Sequence, residues 1–155
     1  MAKKIIQYRK SDLYTAVVDR YEIFSSNYDF LIFTAIIGYR NNSPDRNNFK
    51  GDDETKGEIG LDNIYGVDLY RTIVSCLAYQ DKGKPEALVN SKMQMDILAQ
   101  YASGGLKIAE EEFGDVAGDP TDAIINYIKD NQEDDPDLEG ELKRIYESFN
   151  NEMMN

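Results

Sequence analysis

Cys76 is the one soft nucleophile in this 155-residue chain, and no histidine accompanies it. Without imidazole, Ser-His-Asp and Cys-His catalysis and His-ligated zinc are excluded, and the commonest general base at neutral pH is missing. A lone cysteine cannot close an internal disulfide. Cys76 lies in the apolar run Ile73-Val74-Ser75-Cys76-Leu77, which predicts a buried, unreactive thiol.

Oxygen chemistry is the next candidate, because acids and asparagines crowd residues 41–62. An EF-hand loop needs oxygen ligands at positions one, three and five, glycine at six and glutamate at twelve. Counting from Asp45, position three is Asn47, but Phe49, Lys50 and Lys56 occupy five, six and twelve. The run Glu133-Asp134-Asp135-Pro136-Asp137-Leu138-Glu139 also lacks the glycine turn and spaced ligands, so it reads as a solvated charge run. Gly104-Gly105 is the other suggestive pair. A phosphate loop would need the lysine and hydroxyl of the Walker motif, and a dinucleotide fingerprint would need a third glycine after a strand. Neither is present, and the pair is expected to end one helix in a tight turn that lets two helices pack closely. No catalytic, cofactor-binding or metal-ligating set emerges, so a noncatalytic protein without cofactors is expected.

The elements that would position any site are read from apolar periodicity. Ser11 offers an N-cap, with Asp12 in the first turn and Leu13, Val17, Tyr21 and Phe24 at helical spacing. Ser26 or Asn27 can cap a second element over residues 28–39, whose interior Phe30-Leu31-Ile32-Phe33-Thr34-Ala35-Ile36-Ile37 is apolar on every side until Gly38 closes it. A buried strand is the competing reading, and length and framing favour a central helix. Residues 40–66 form a long polar surface loop whose insert Ile59, Leu61, Ile64 and Tyr65 pins it to the body. A further helix carries Leu69, Ile73 and Leu77, with Tyr70 beside them, and ends near Asp81-Lys82-Gly83. Helical spacing then resumes at Met93, Ile97, Leu98 and Tyr101, and again at Leu106, Ile108, Ala109 and Phe113. Asp119-Pro120 and Asp135-Pro136 each place a cap and an N1 proline ahead of apolar positions, Ile124, Ile125 and Ile128 in one case and Leu138, Leu142, Ile145 and Phe149 in the other. The predicted fold is all-α: a compact orthogonal bundle of about seven helices, with a basic arm over 1–10 and a single helical domain over 11–155.

Charge divides this chain unevenly. Residues 1–109 carry 14 acidic and 14 basic side chains, whereas 110–155 carry 15 acidic and 3 basic, so the whole net charge of −12 belongs to the last third. Such a surface repels nucleic acid and anionic lipid and attracts basic protein faces. The residues expected to dock a partner are Glu110, Glu111, Glu112, Asp115, Asp134, Asp135, Asp137 and Glu139, with Tyr127 or Tyr146 as an aromatic anchor. Lys3, Lys4, Arg9 and Lys10 form a small basic arm able to touch phosphates, although four such cations more commonly mark an ordinary mobile terminus. Nothing in the first ten residues has a secretory pattern, and the longest apolar stretch is far below the ~20 residues of a membrane helix, so a soluble cytoplasmic protein is expected.

The buried segment Phe30 to Tyr39, the polar loop, the apolar helix and then Tyr101-Ala102-Ser103-Gly104-Gly105-Leu106 together resemble the small accessory proteins of bacterial Dnd (DNA phosphorothioation and restriction) loci. The likeness spans roughly residues 10–113, and its distinctive element is Tyr-Ala-x-Gly-Gly-Leu. It implies a role beside DNA-modifying or DNA-cleaving machinery in antiphage defence, with no catalytic set to carry over. Joined to the charge pattern, the expectation is an adaptor that docks a larger ATPase, helicase or nuclease subunit and meets DNA indirectly or through the basic arm. The alternatives are an acidic DNA-mimic inhibitor of a nucleic-acid enzyme, which needs carboxylates at phosphate-like spacing, and a carboxylate-metal enzyme built on the acids of the 45–62 loop.

Overall fold

The computed structural model describes residues 4–132 and Glu147. Two compact units divide the chain, Met1–Pro120 and Thr121–Asn155. In the first, β1 (Ile5–Arg9) is followed by α1 (Asp12–Tyr14), which runs on as a π-helical stretch, Thr15–Arg20. Next come α2 (Asn27–Arg40), β2 (Lys56–Gly60), α3 (Leu61–Tyr65), α4 (Asp68–Lys82) and a 3-10 turn, Pro85–Leu88. Helix α5 (Ser91–Ala109) ends this unit's regular structure and continues as a second π-helical stretch, Glu110–Gly114. The second unit contributes α6 (Thr121–Gln132), after Asp119-Pro120 as expected; the helix predicted from Asp135-Pro136 lies outside the described residues.

Helix α2 forms where its capped apolar run predicts. Phe30, Leu31, Ile32, Thr34, Ala35, Ile37 and Gly38 are all buried, so the segment is covered on nearly every side. Thr34 satisfies its buried hydroxyl by donating to the Leu31 carbonyl at 2.9 Å. Gly38 does not close the helix, which continues to Arg40; it lies where α2 meets α5, and a Cβ there would collide with the Tyr101 carbonyl oxygen.

Gly104 and Gly105 are likewise not a turn. Both lie inside α5, where a Cβ on Gly105 would strike the Thr34 carbonyl oxygen and one on Gly104 the Ser43 carbonyl oxygen. The expected close packing is present, but it is side-by-side contact within a continuous helix. Missing side chains, rather than special dihedrals, are what these positions supply.

The all-α expectation is corrected by a two-stranded antiparallel sheet, in which β1 pairs with β2 in the register Ile5↔Gly60, Tyr8↔Gly57 and Arg9↔Lys56. Residues 5–9 are thus no free arm and 40–66 no simple loop, because 5–9 and 56–60 pair as strands. Inward positions alternate as Ile6 and Tyr8 against Gly57 and Ile59. The signal is faint because each strand has five residues and one inward position is a glycine, opposite Tyr8. Ile59 and Ile64 are buried, so the predicted apolar insert does pin this stretch to the body.

Ser11 caps α1 as predicted, its hydroxyl accepting from the Leu13 amide at 3.3 Å. Phe24 lies beyond the helix: the chain reverses at Glu22, with φ of 50°, and the Ile23 and Phe24 amides return to the Val17 carbonyl. That turn brings the Phe24 ring to 5.1 Å from Phe30 and 5.2 Å from Phe33. Tyr14 meets Phe30 edge-on at 4.7 Å, and Phe33 reaches Phe113 at 6.5 Å, so one aromatic cluster joins α1, α2 and the end of α5.

Helix α4 buries Val74, Leu77 and Ala78, whereas Leu69 is 64% exposed and Cys76 is exposed, which overturns the buried-thiol reading. The inward face is therefore shifted from the predicted Leu69, Ile73 and Leu77: Val74, Leu77 and Ala78 are buried, Ile73 is half-buried, and the stripe ends at the Asp81 side chain. Gly83 then stops the helix in the left-handed region with φ of 66°.

These contacts predict an ordering of glycine substitutions. Gly105→Ala should cost about 3 kcal/mol or prevent folding, because backbone must move to admit the methyl. Gly83→Ala, with open space around it, should cost only about 1 kcal/mol from left-handed strain. Urea unfolding of the two variants measures both.

Candidate functional site

The acids expected to dock a partner begin where α5 widens into its π-helical end. Phe113 points inward and is 1% exposed, and its aromatic contact with Phe33 fixes the turn to the body. Glu111 and Glu112 are therefore exposed on a turn that cannot easily rotate, while Glu110 is half-buried and Asp115 comes next, exposed, just past the turn. Glu110 and Asp115 also border a cleft of about 590 Å³, across which lie Asp12 and Arg20 from α1 and its π-helical continuation. Four of the eight predicted docking residues thus gather in one region. Asp134, Asp135, Asp137 and Glu139 lie outside the described residues, as does the candidate anchor Tyr146. Tyr127 lies on α6 and is half-buried.

A second charged arrangement was not legible in the sequence. Asp45, whose spacing failed the calcium-loop pattern, lies buried in a strap, residues 41–48, laid over α5. One of its carboxylate oxygens accepts from the Asn47 and Asn48 amides at 3.1 and 3.0 Å; the other accepts from the Ser103 hydroxyl at 2.7 Å and lies 3.5 Å from the Lys107 ammonium. The Asp45 amide in turn donates to the Gln100 carbonyl at 2.8 Å. Arg9 completes the group from β1, its Nε donating to Ser103 Oγ at 2.8 Å and its Nη2 to the Ser103 carbonyl at 3.2 Å. Of the supposed phosphate-touching arm, Arg9 is therefore committed inside the fold, Lys4 and Lys10 are exposed, and Lys3 lies outside the described residues.

The neighbouring strap residue Arg46 makes a two-pronged ion pair with Asp81 of α4, at 2.6 and 3.1 Å. The same carboxylate accepts from the Tyr101 hydroxyl at 2.7 Å, and the guanidinium lies 5.8 Å from the Tyr101 ring centroid. Asp45 and Asp81 are thus fully engaged, each by a cation and by neutral donors. Among the described residues, no group of three or more Asp, Glu, His or Cys is arranged to hold a metal ion.

Burial by itself would raise the Asp45 carboxyl. The Asn48 amide, the Ser103 hydroxyl, the Asn47 amide and the Lys107 charge outweigh it and bring the pKa down to about 2 from 3.8. Asp81 is lowered chiefly by its hydrogen bonds from Arg46, against an opposing desolvation.

No described helix is long and apolar enough to cross a membrane. The family model described as DNA sulphur modification system-associated protein 4 matches residues 7–145, extending the likeness well past residue 113 into the acidic third. No curated protein and no solved structure matches the chain.

A carboxylate with a depressed folded-state pKa stabilises the fold fully above its unfolded value and ceases to do so as pH falls through the folded one. Asp45→Asn should therefore cost about 2 kcal/mol at neutral pH, and the gap from the unsubstituted chain should close as pH drops from about 4 to about 2. Urea unfolding of both chains across that range supplies the comparison.

Proposed function

The chain belongs to the family of DNA sulphur modification system-associated protein 4, and from that premise we propose that it is a noncatalytic accessory subunit of a bacterial DNA-defence system of this kind, acting in the cytoplasm. It docks a larger ATPase, helicase or nuclease subunit through its acidic surface, and its contact with DNA runs through that partner. The observation that carries this reading is the turn Glu110–Gly114, where three consecutive glutamates are held on a stretch of chain anchored by the buried Phe113. Fixed carboxylates lose little freedom on meeting a basic partner, and their shared field steers encounter.

The DNA-mimic alternative fits the described acids less well. A mimic calls for carboxylates spread along a ridge at phosphate-like intervals, whereas Glu110, Glu111, Glu112 and Asp115 cluster on one turn and its edge, beside a cleft that also presents Arg20. A cluster of this kind suits complementarity to one basic patch on a protein.

Affinity capture of the tagged chain from cells expressing the whole locus tests the proposal. Recovery of a defence subunit should fall as salt rises, because screening weakens an exposed ionic contact. Reversal of Glu111 and Glu112 to lysine should lower capture about tenfold, equivalent to about 1.4 kcal/mol, while circular dichroism shows the fold intact. Unchanged capture by the reversed variant would remove this turn as the docking surface.

A further inference from the structure

A second cleft, away from the acidic turn, has the opposite character. Its cavity of about 500 Å³ lies between β1 and the start of α5, with apolar walls that include Leu61 and Met95. Three lysines border it from three separate stretches: Lys4 just before β1, Lys50 in the connection to β2, and Lys92 in the first turn of α5. All three are exposed, and among the described residues none forms an ion pair. Asp96, one turn beyond Lys92, is the carboxylate of the lining.

Beside it, a cavity of about 380 Å³ shares Lys4, Leu61 and Ser91 and is bordered by Gly60, Asp62 and Tyr65, so Asp62 is a second carboxylate at this end. Tyr65 is a fixed wall. Its hydroxyl donates to Gln94 Oε1 at 2.6 Å, and the buried Gln94 donates onward to the Ala87 carbonyl at 2.8 Å.

Three like charges around one concavity repel each other, and the low-dielectric walls concentrate their field on whatever enters. The volume lies in the range of small-molecule sites, and apolar walls with a few convergent polar groups are the usual make-up of such sites. Ammonium groups suit phosphate as compact point charges, while Leu61 and the immobilised Tyr65 ring offer a surface for a planar apolar group. The net charge of −12 opposes a long polyanion, so the local positive field favours a small anion over duplex DNA.

We propose that these two adjoining cavities together bind a small phosphorylated ligand with a planar apolar body, of the size of a nucleoside mono- or diphosphate, with its phosphate among Lys4, Lys50 and Lys92 in the larger and its ring against Leu61 and Tyr65 in the smaller. The assignment goes beyond the docking role and does not rest on it, since the acidic turn contributes no residue to this cleft.

Calorimetric titration of the full chain with ADP, dAMP, inorganic phosphate and a short single-stranded oligodeoxynucleotide tests the site. ADP and dAMP should bind saturably and at least about tenfold more tightly than inorganic phosphate. Replacing Lys4, Lys50 and Lys92 together by glutamine should weaken ADP at least about tenfold, and Lys84→Gln, outside the cleft, should leave it unchanged. Asp96→Asn should tighten ADP by removing a like charge, an effect that loss of folding cannot imitate. Absence of saturable heat with both nucleotides, or equal affinity for ADP in the triple-lysine variant, would overturn the site. Phosphate binding as tightly as ADP would overturn the planar group, and tighter binding of the oligonucleotide would overturn the small ligand.

Discussion

The backbone-to-backbone approach of α2 and α5 is the constraint on which the first unit depends. At Gly38 and Gly105 the helices meet with no side chain between them, and each position faces a carbonyl oxygen of the other helix. Contact this close excludes every larger residue at the crossing. It also sets the path of the next segment: when α2 ends at Arg40, the chain runs across α5 at Gly104, where the Ser43 carbonyl fills the space a side chain would need. From there the strap delivers Asp45 to Ser103 and Lys107, and Arg46 to Asp81 and Tyr101. One small-residue contact thereby places two buried carboxylates beside their partners and joins β1, the strap, α4 and α5 through charge-assisted bonds.

That arrangement sorts the charges of the chain into two kinds. Asp45, Asp81, Arg9 and Arg46 face one another or neutral hydrogen-bonding groups, the carboxylates accepting and the guanidiniums donating, and they hold segments together. Others are left outward, mostly acidic at the end of α5, where Glu111, Glu112 and Asp115 are exposed, and mostly basic around its beginning, where Lys4, Lys50 and Lys92 lie beside Asp96. A desolvated ion pair needs its full set of partners, whereas an exposed charge is already satisfied by water and remains available to a ligand or partner. The chemistry open to binding therefore belongs to the second kind, at the two ends of one long helix.

The acids proposed to dock a partner were legible in part because runs such as Glu110-Glu111-Glu112 announce a largely exposed face by composition alone. What presents them was not legible: Phe113 looks like one more core residue until the π-helical end of α5 turns it onto Phe33. The basic cleft left no trace in the sequence, since its lysines are far apart along the chain and each is ordinary alone. Asp45 failed the ion-loop pattern in the sequence, but what holds it could not be read there. Its Ser103 and Lys107 partners lie on a helix distant in the chain.

By itself the sequence determined what depends on neighbours along the chain: the Ser11 cap, the buried α2, the left-handed stop at Gly83, the stretch from Tyr101 to Leu106 that carries the family resemblance, and the acidic end. Those features are set by propensity, capping and periodicity, which act over a few residues. Only the tertiary structure decided that Gly104-Gly105 is a crossing rather than a turn, that 5–9 and 56–60 are paired strands, and that Cys76 faces outward while Asp81 faces inward. Each of these turns on what lies opposite a residue in space. A glycine in a turn and a glycine under another helix are the same letter, and the distinction is made by the second backbone that comes to rest against it.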